Sequence, residues 1–253
     1  MTPDLTVIVP AYNESRTVGT VIDRLVHNLG SIAYEILVVD DASKDDTAQI
    51  VRSLGEGQPQ IRVISHNINQ GKTQALVTGF KEAQGRVVIV QDADLEYDPA
   101  DMLKLVTPIL EGRADVVYGS RLAKSDHANQ FMARSYFANK VITFVSNLFT
   151  RYKFSDVETC YKAFRCEIIQ NMIISSQRFG FEIEVTAKIS KLDLKTAESP
   201  ITFASRSYED GKKIGVYDGL QALWYILKYN LFTSKADSFI RVPDLRQPLP
   251  AAE

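Results

Sequence analysis

Val87-Val88-Ile89-Val90-Gln91-Asp92-Ala93-Asp94-Leu95-Glu96 decides how the chain folds. Four apolar residues bounded by polar ones read as a strand buried on both faces. The strand therefore ends on Asp92 and Asp94, where an open α/β sheet offers its ligand crevice. Alternate residues of an extended segment point the same way, so both carboxylates can face one point. Two hard anionic ligands suit Mg2+ or Mn2+, which take carboxylates, waters and substrate phosphates. The competing reading is a pair of solvated loop aspartates.

Outward from this strand the first half alternates strand and helix. Leu5 to Pro10, Glu35 to Val39, Ile61 to Ile64 and Asp115 to Tyr118 read as further strands. Between them, Val18, Ile22, Leu25, Val26 and Leu29 recur at helical spacing, as do Ile50, Val51 and Leu54 behind a cap at Asp45 or Asp46. Leu76, Gly79, Phe80 and Ala83 form another helix face, and Met102, Leu105, Val106, Ile109 and Leu110 a fourth. This order predicts βαβ units, hence an α/β fold with a mostly parallel central sheet flanked by helices. The second half is less regular. Helices are predicted over Phe131 to Thr150, Phe181 to Leu192 and Val216 to Phe232, and extended segments over Cys160 to Arg165 and Lys195 to Phe203. We expect a single domain over 1–235, with a nucleotide-binding half at about 5–121, an acceptor half at 122–235 and a tail at 236–253.

The 253 residues carry 29 Lys and Arg against 31 Asp and Glu, a net charge of −2, so bulk attraction to nucleic acid is not expected. Cys160 and Cys166 form neither a disulfide framework nor a zinc pattern and fit a reducing compartment. The N-terminus lacks the basic and apolar regions of a signal peptide. No stretch reaches the roughly 18 apolar residues of a membrane span. A cytoplasmic location is expected.

Polar residues follow each predicted strand of the first half: Pro10-Ala11-Tyr12-Asn13-Glu14, Asp40-Asp41-Ala42-Ser43, Asn67 to Lys72, the aspartate pair, and Gly119-Ser120-Arg121. Five such loops at one sheet edge point to a ligand site rather than a bare scaffold.

Val-Ile-Val-Pro-Ala-Tyr-Asn-Glu (7–14), Val-Val-Asp-Asp-Ala-Ser (38–43), Asn-Gln-Gly-Lys (69–72) and Gln-Asp-Ala-Asp-Leu (91–95) resemble family 2 glycosyltransferases of the GT-A fold, a Rossmann-like architecture. With Gly-Ser-Arg (119–121), they are most similar to the dolichol-phosphate mannosyltransferase-like, polyprenyl-phosphate glycosyltransferase branch. The resemblance implies that Pro10, Ala11, Tyr12 and Glu14 cradle the nucleoside. It implies that Asp41 accepts a hydrogen bond from the base, the other reading being a cap with Ser43. Lys72 would lie near the nucleotide-sugar, or else be a surface residue at a helix start. Asp92, Asp94 and Glu96 would hold Mg2+ or Mn2+ on the diphosphate, making this an Asp-X-Asp (DXD) motif. Arg121, Arg134 and Arg206 are candidates for the acceptor phosphate, since a guanidinium binds phosphate oxygens bidentately. Lys212 and Lys213 sit in a glycine-bounded basic loop that could close over the site or else be a solvated turn.

The implied activity is inverting, metal-dependent transfer of a hexose from a UDP- or GDP-linked donor to a polyprenyl phosphate. That acceptor is already ionised, so no general base is required. A soluble or polysaccharide hydroxyl acceptor would need one, and Asp156, Glu158 or Glu182 could serve. A sugar-phosphate nucleotidyltransferase is the other enzymatic alternative, although Pro10 to Glu14 stands where its glycine-rich loop would be. A catalytically inactive nucleotide-sugar binding protein is the non-enzymatic one. Branch members commonly add C-terminal membrane spans, and none is expected here. The helices over Phe131 to Phe149 and Tyr217 to Phe232 either lie in a bilayer interface or cover the sheet as core helices. Contact with a membrane-protein partner is a further expectation.

Overall fold

The computed structural model describes residues 2–122, 133–177, 180–205, 216–245 and 249; at 133, 134 and 216–218 it describes the backbone alone. Seven strands form one sheet: β1 (Leu5–Ala11), β2 (Tyr34–Asp40), β3 (Ile61–Ser65), β4 (Val87–Val90), β5 (Val116–Ser120), β6 (Lys162–Arg165) and β7 (Thr196–Pro200). Their order is β3-β2-β1-β4-β6-β5-β7. Both halves of the chain contribute strands to it.

The first four strands are mutually parallel, as their apolar runs require. β1 lies between β2 and β4 with Leu5 and Val7 to Val9 wholly buried. The connecting helices α1 (Val18–Leu29) and α3 (Lys72–Glu82) bury most of their expected stripes, whereas α2 (Thr47–Gly55) buries Val51 and keeps Ile50 and Leu54 half-buried against the core. α3 lies so close to β1 that a Cβ at Gly79 would come within 2.5 Å of the Ile8 side chain. The α2 start refines the cap expectation. Asp46 holds the cap position but makes no cap bond, whereas Asp45 accepts from Thr47 N–H (3.1 Å) and Ser15 N–H (3.1 Å). Burial opposes ionisation of Asp45, yet the hydroxyl and amide hydrogen bonds prevail and lower its pKa to about 2.

The sheet then changes direction. α4 (Met102–Leu110) leads to β5, but β5 does not pair with β4. β6 inserts between them, antiparallel to both, and β7 adds parallel to β5. Because Ile89 pairs with Ala163, the residues just before β6 arrive at the edge where β4 ends. The second half also supplies α5 (Ala133–Phe149), α6 (Cys166–Gln170), α7 (Phe181–Ile189) and α8 (Val216–Leu231). α8 packs on α7 and α5.

Candidate active site

Residues after β1, β2 and β4 adopt unusual backbone angles: Asn13 (φ 57°), Ala42 (φ 61°) and Leu95 (φ 63°). These are left-handed positions without glycine, costly on their own and sustained by surrounding bonds. The first two loops are laced together. Asn13 N–H donates to Ser43 Oγ (2.9 Å), Lys44 N–H to Asn13 Oδ1 (2.8 Å) and Glu14 N–H to Thr47 Oγ1 (2.9 Å). Glu14 also accepts from Thr17 Oγ1 (2.9 Å). Tyr12 stands out from this frame, 43% exposed, with a ring available for stacking. Pro10 is half-buried and Ala11 buried at the base of the loop.

Asp41 is occupied differently from the expectation. Its buried carboxylate accepts from Gln70 N–H (2.9 Å), Gly71 N–H (2.7 Å) and His66 Nδ1 (2.7 Å). It therefore clamps the loop entering α3 rather than offering an open acceptor to a base. The expected cap with Ser43 is absent too, because Ser43 serves Asn13. His66, which sequence reasoning passed over, completes the clamp by bonding Thr78 Oγ1 through Nε2 (2.9 Å). The neighbouring Asp40 keeps a buried Oδ1 with no hydrogen-bond partner.

The clamp sets the position of Lys72. Gly71, at φ 88°, turns the chain into α3, whose first residue is Lys72. The Lys72 ammonium lies 2.6 Å from Asp92 Oδ1 and 3.9 Å from Glu182 Oε1 at the start of α7. Burial opposes its charge, but Asp92 and its neighbours outweigh that and hold it well above the ordinary lysine range. Asp92 and Asp94 stand at the end of β4 as expected. Asp94 Oδ1 accepts from Glu96 N–H (3.1 Å), which closes the turn through Leu95. Ala204 N–H donates to Glu96 O (2.8 Å), so the chain after β7 covers this turn.

The expected trio of metal ligands does not form. Among the described residues no three His, Cys, Asp or Glu side chains converge as a metal cage. The aspartate pair still fits Mg2+ or Mn2+, which are commonly held by one or two carboxylates together with waters and substrate phosphates. Lys72 beside Asp92 shows that this carboxylate already faces positive charge.

Arg121, expected at the acceptor phosphate, is engaged by a carboxylate of the protein itself. Its fork is bidentate with Asp156 (Nε to Oδ2 2.7 Å, Nη2 to Oδ1 2.9 Å), and Asn139 Nδ2 on α5 joins Asp156 at 2.9 Å. Asp156 is fully buried. Burial would raise its pKa, but the guanidinium prevails and holds it below the usual carboxylate value. Arg121 thus anchors the segment before β6 and packs over Phe203 (5.1 Å to the ring centre). The Arg134 side chain, Arg206, Lys212 and Lys213 lie outside the described residues.

That segment brings a second ionisable group beneath the site. Glu158 has a buried Oε1 without a hydrogen-bond partner. Burial, and then the nearby Glu182, push it up to about 7. Lys162 donates to Val157 O (3.0 Å), and burial brings it down to about 8. Cys160, which was not expected at the site, is buried beside Asp92, and its thiol is pushed well up by burial and then by that carboxylate. The acidic run Asp156-Val157-Glu158 was expected at the site only as a source of a general base for a hydroxyl acceptor. Only the antiparallel entry of β6 brings it to this edge. A cavity of about 910 Å³ lies at the opposite edge, among Arg86, Asp115, Arg165 and Lys195, where cations and carboxylates already pair.

The outer faces of two helices are apolar and open. α5 shows Phe137 (71% exposed), Val141, Phe144 and Leu148, and α8 shows Leu220, Trp224 (55%), Leu227 and Leu231. In each helix the spacing is i, i+4, i+7, i+11, a single stripe. Among the described residues no helix is long and apolar enough to cross a membrane.

The sequence pattern of glycosyl transferase family 2 matches residues 6–173. The chain is 29% identical over 230 residues to a dolichol-phosphate mannosyltransferase of Pyrococcus furiosus, covering 89% of this chain and 64% of that protein. It is 27% identical to an undecaprenyl-phosphate mannosyltransferase of Micrococcus luteus, covering 82% and 86%. Glucosyl-3-phosphoglycerate synthase of Mycobacterium tuberculosis, solved with Mn2+, UDP and phosphoglyceric acid, superposes with a TM-score of 0.67 at 19% identity, over 90% of this chain and 79% of that one. At that identity the likeness shows the fold, the GT-A arrangement.

Proposed function

The chain belongs to glycosyl transferase family 2 and is a glycosyltransferase, and from that premise we propose that it moves a hexose, with inversion, from a nucleotide-sugar to a polyprenyl phosphate. The observation that carries this reading is the placement of Asp92 and Asp94 at the end of β4, with Lys72 2.6 Å from Asp92. The loops after β1 and β2 bind the nucleoside, Tyr12 by stacking on the base and Glu14 toward the ribose. When bound to Asp92 and Asp94, Mg2+ or Mn2+ supplies positive charge that makes the diphosphate a competent leaving group. Lys72 adds charge on the same side. Arg134 and Arg206 bind the acceptor phosphate, while Arg121 holds the acceptor side in place through Asp156. The relatives named for polyprenyl phosphates support this acceptor.

The α5 and α8 stripes give the protein a peripheral seat on a membrane that presents the lipid. α5 carries no acidic residue, Lys140 is exposed on it, and Trp224 suits the headgroup level. A hydroxyl acceptor is the second reading. It is favoured by Glu158, which keeps a buried Oε1 without a hydrogen-bond partner and whose pKa is raised by burial and by Glu182.

The test is incubation with radiolabelled GDP-mannose or UDP-glucose, Mn2+ and a polyprenyl phosphate in detergent. Label passing into the organic phase in an acid-labile form supports the proposal. Label transferred only to water-soluble acceptors supports the hydroxyl reading. Asp94→Asn is expected to lower transfer at least a hundredfold and to abolish metal-dependent donor binding in a protein that stays folded. Near-normal turnover would remove the metal assignment.

A further inference from the structure

Lys72 has two carboxylates within reach, and only one of them is a candidate metal ligand. Its ammonium is 2.6 Å from Asp92 Oδ1 and 3.9 Å from Glu182 Oε1. Both carboxylates are largely shielded from water, so the pull of each is poorly screened. The backbone of Lys72 cannot drift, because Asp41 grips the amides of Gln70 and Gly71 immediately before it. What can move is the four-carbon stem, and a shift toward Glu182 would exchange one ion pair for another.

A divalent ion bound to Asp92 would stand close to that ammonium, placing two cations against one carboxylate. Given the metal-dependent donor site proposed above, we propose that Lys72 is an internal counter-ion that competes with the metal for Asp92 and swings to Glu182 when a nucleoside diphosphate arrives. Metal binding and nucleotide binding are thereby coupled. Without nucleotide, Lys72 neutralises Asp92 and a divalent ion binds weakly. With it, the diphosphate adds oxygen ligands that strengthen the metal's hold on Asp92, and this favours the exchange. Glu182 is then a positioning residue that receives the displaced charge and does not touch the donor.

The test is titration of Mn2+ into the full chain, read by the electron paramagnetic resonance signal of free Mn2+, with and without saturating UDP or GDP. No turnover is needed. Wild-type protein is expected to bind Mn2+ at least tenfold more tightly with its nucleotide than without. Lys72→Met should bind Mn2+ alone at least fivefold more tightly than wild type and show a smaller gain from nucleotide. Glu182→Gln should shift the other way, binding Mn2+ several-fold more weakly in the presence of nucleotide, because the ammonium has lost its second partner. Opposite signs in the two variants cannot come from general damage to the fold. Lys72→Met binding Mn2+ no more tightly than wild type would overturn the counter-ion role while leaving the metal site standing. Mn2+ binding to no form, even with either nucleotide, would instead overturn the metal-dependent donor site and the counter-ion role together.

Discussion

Replacing Asp156 by Asn should expose how strongly the acceptor side is held. The carboxylate is fully buried and accepts from Arg121 Nε (2.7 Å), Arg121 Nη2 (2.9 Å), Arg121 N–H (3.2 Å) and Asn139 Nδ2 (2.9 Å). Asn keeps the shape but loses the charge and turns one acceptor into a donor facing two donors. It leaves the buried guanidinium of Arg121 without its counter-charge. Breaking such a pair from one side costs about 3–5 kcal/mol, a large share of the roughly 5–15 kcal/mol that holds a typical domain together. The assay is urea unfolding at pH 7, comparing wild type, Asp156→Asn, Arg121→Met and the double variant. The double variant, with no stranded charge, should be more stable than Asp156→Asn alone. The pH dependence has a definite sign. The folded pKa of Asp156 is depressed, so its stabilisation is fully present above the unfolded value of about 3.9 and is lost as pH falls through the folded value. The gap between wild type and Asp156→Asn should therefore narrow below about pH 4, as this linkage requires. A loss under about 1 kcal/mol at pH 7 would place the pair in the range of solvent-screened surface bridges and refute the reasoning.

Asp41→Asn should destabilise the protein by about 1–3 kcal/mol, the cost of unsatisfied buried partners of a charged acceptor, and should weaken donor binding indirectly through the loop that carries Lys72; calorimetry on UDP or GDP together with thermal unfolding separates the two effects. Glu158 has a folded pKa raised to about 7, so the folded state binds the extra proton between its unfolded value of about 4.3 and 7, and stability falls as pH rises across that window; Glu158→Gln should flatten this fall in urea unfolding at pH 5 and pH 8, and an unchanged slope would assign it to another group. Phe137→Asp with Trp224→Asp should abolish co-sedimentation with anionic phospholipid vesicles while leaving the unfolding midpoint nearly unchanged, since both side chains are exposed; retained sedimentation would move the membrane seat elsewhere.

Much of the first half could be read from the sequence alone. Val87 to Val90, Leu5 to Val9 and Ile36 to Val39 form parallel strands whose two faces are both buried, and that condition writes itself as an uninterrupted apolar run. The position of Asp92, Asp94 and Tyr12 just past strand ends was legible because apolar runs mark where such strands stop. The stripes on α5 and α8 were legible as periodicity, but their destination was not, since an apolar stripe looks the same whether it faces a core or lies open.

The sequence by itself thus determined the strands, the helix faces and the edge at which the polar loops gather, all of which follow from spacing along the chain. Only the tertiary structure decided what each charged group faces. Arg121 meets Asp156, Asp41 meets Gly71, and Lys72 stands between Asp92 and Glu182. The physical reason lies in how the sheet is wound. β6 enters antiparallel between β4 and β5, and that reversal carries the segment from Asp156 to Cys160 to the ligand edge. Charges separated by tens of residues become neighbours only once strand order is set, and no local pattern encodes that order.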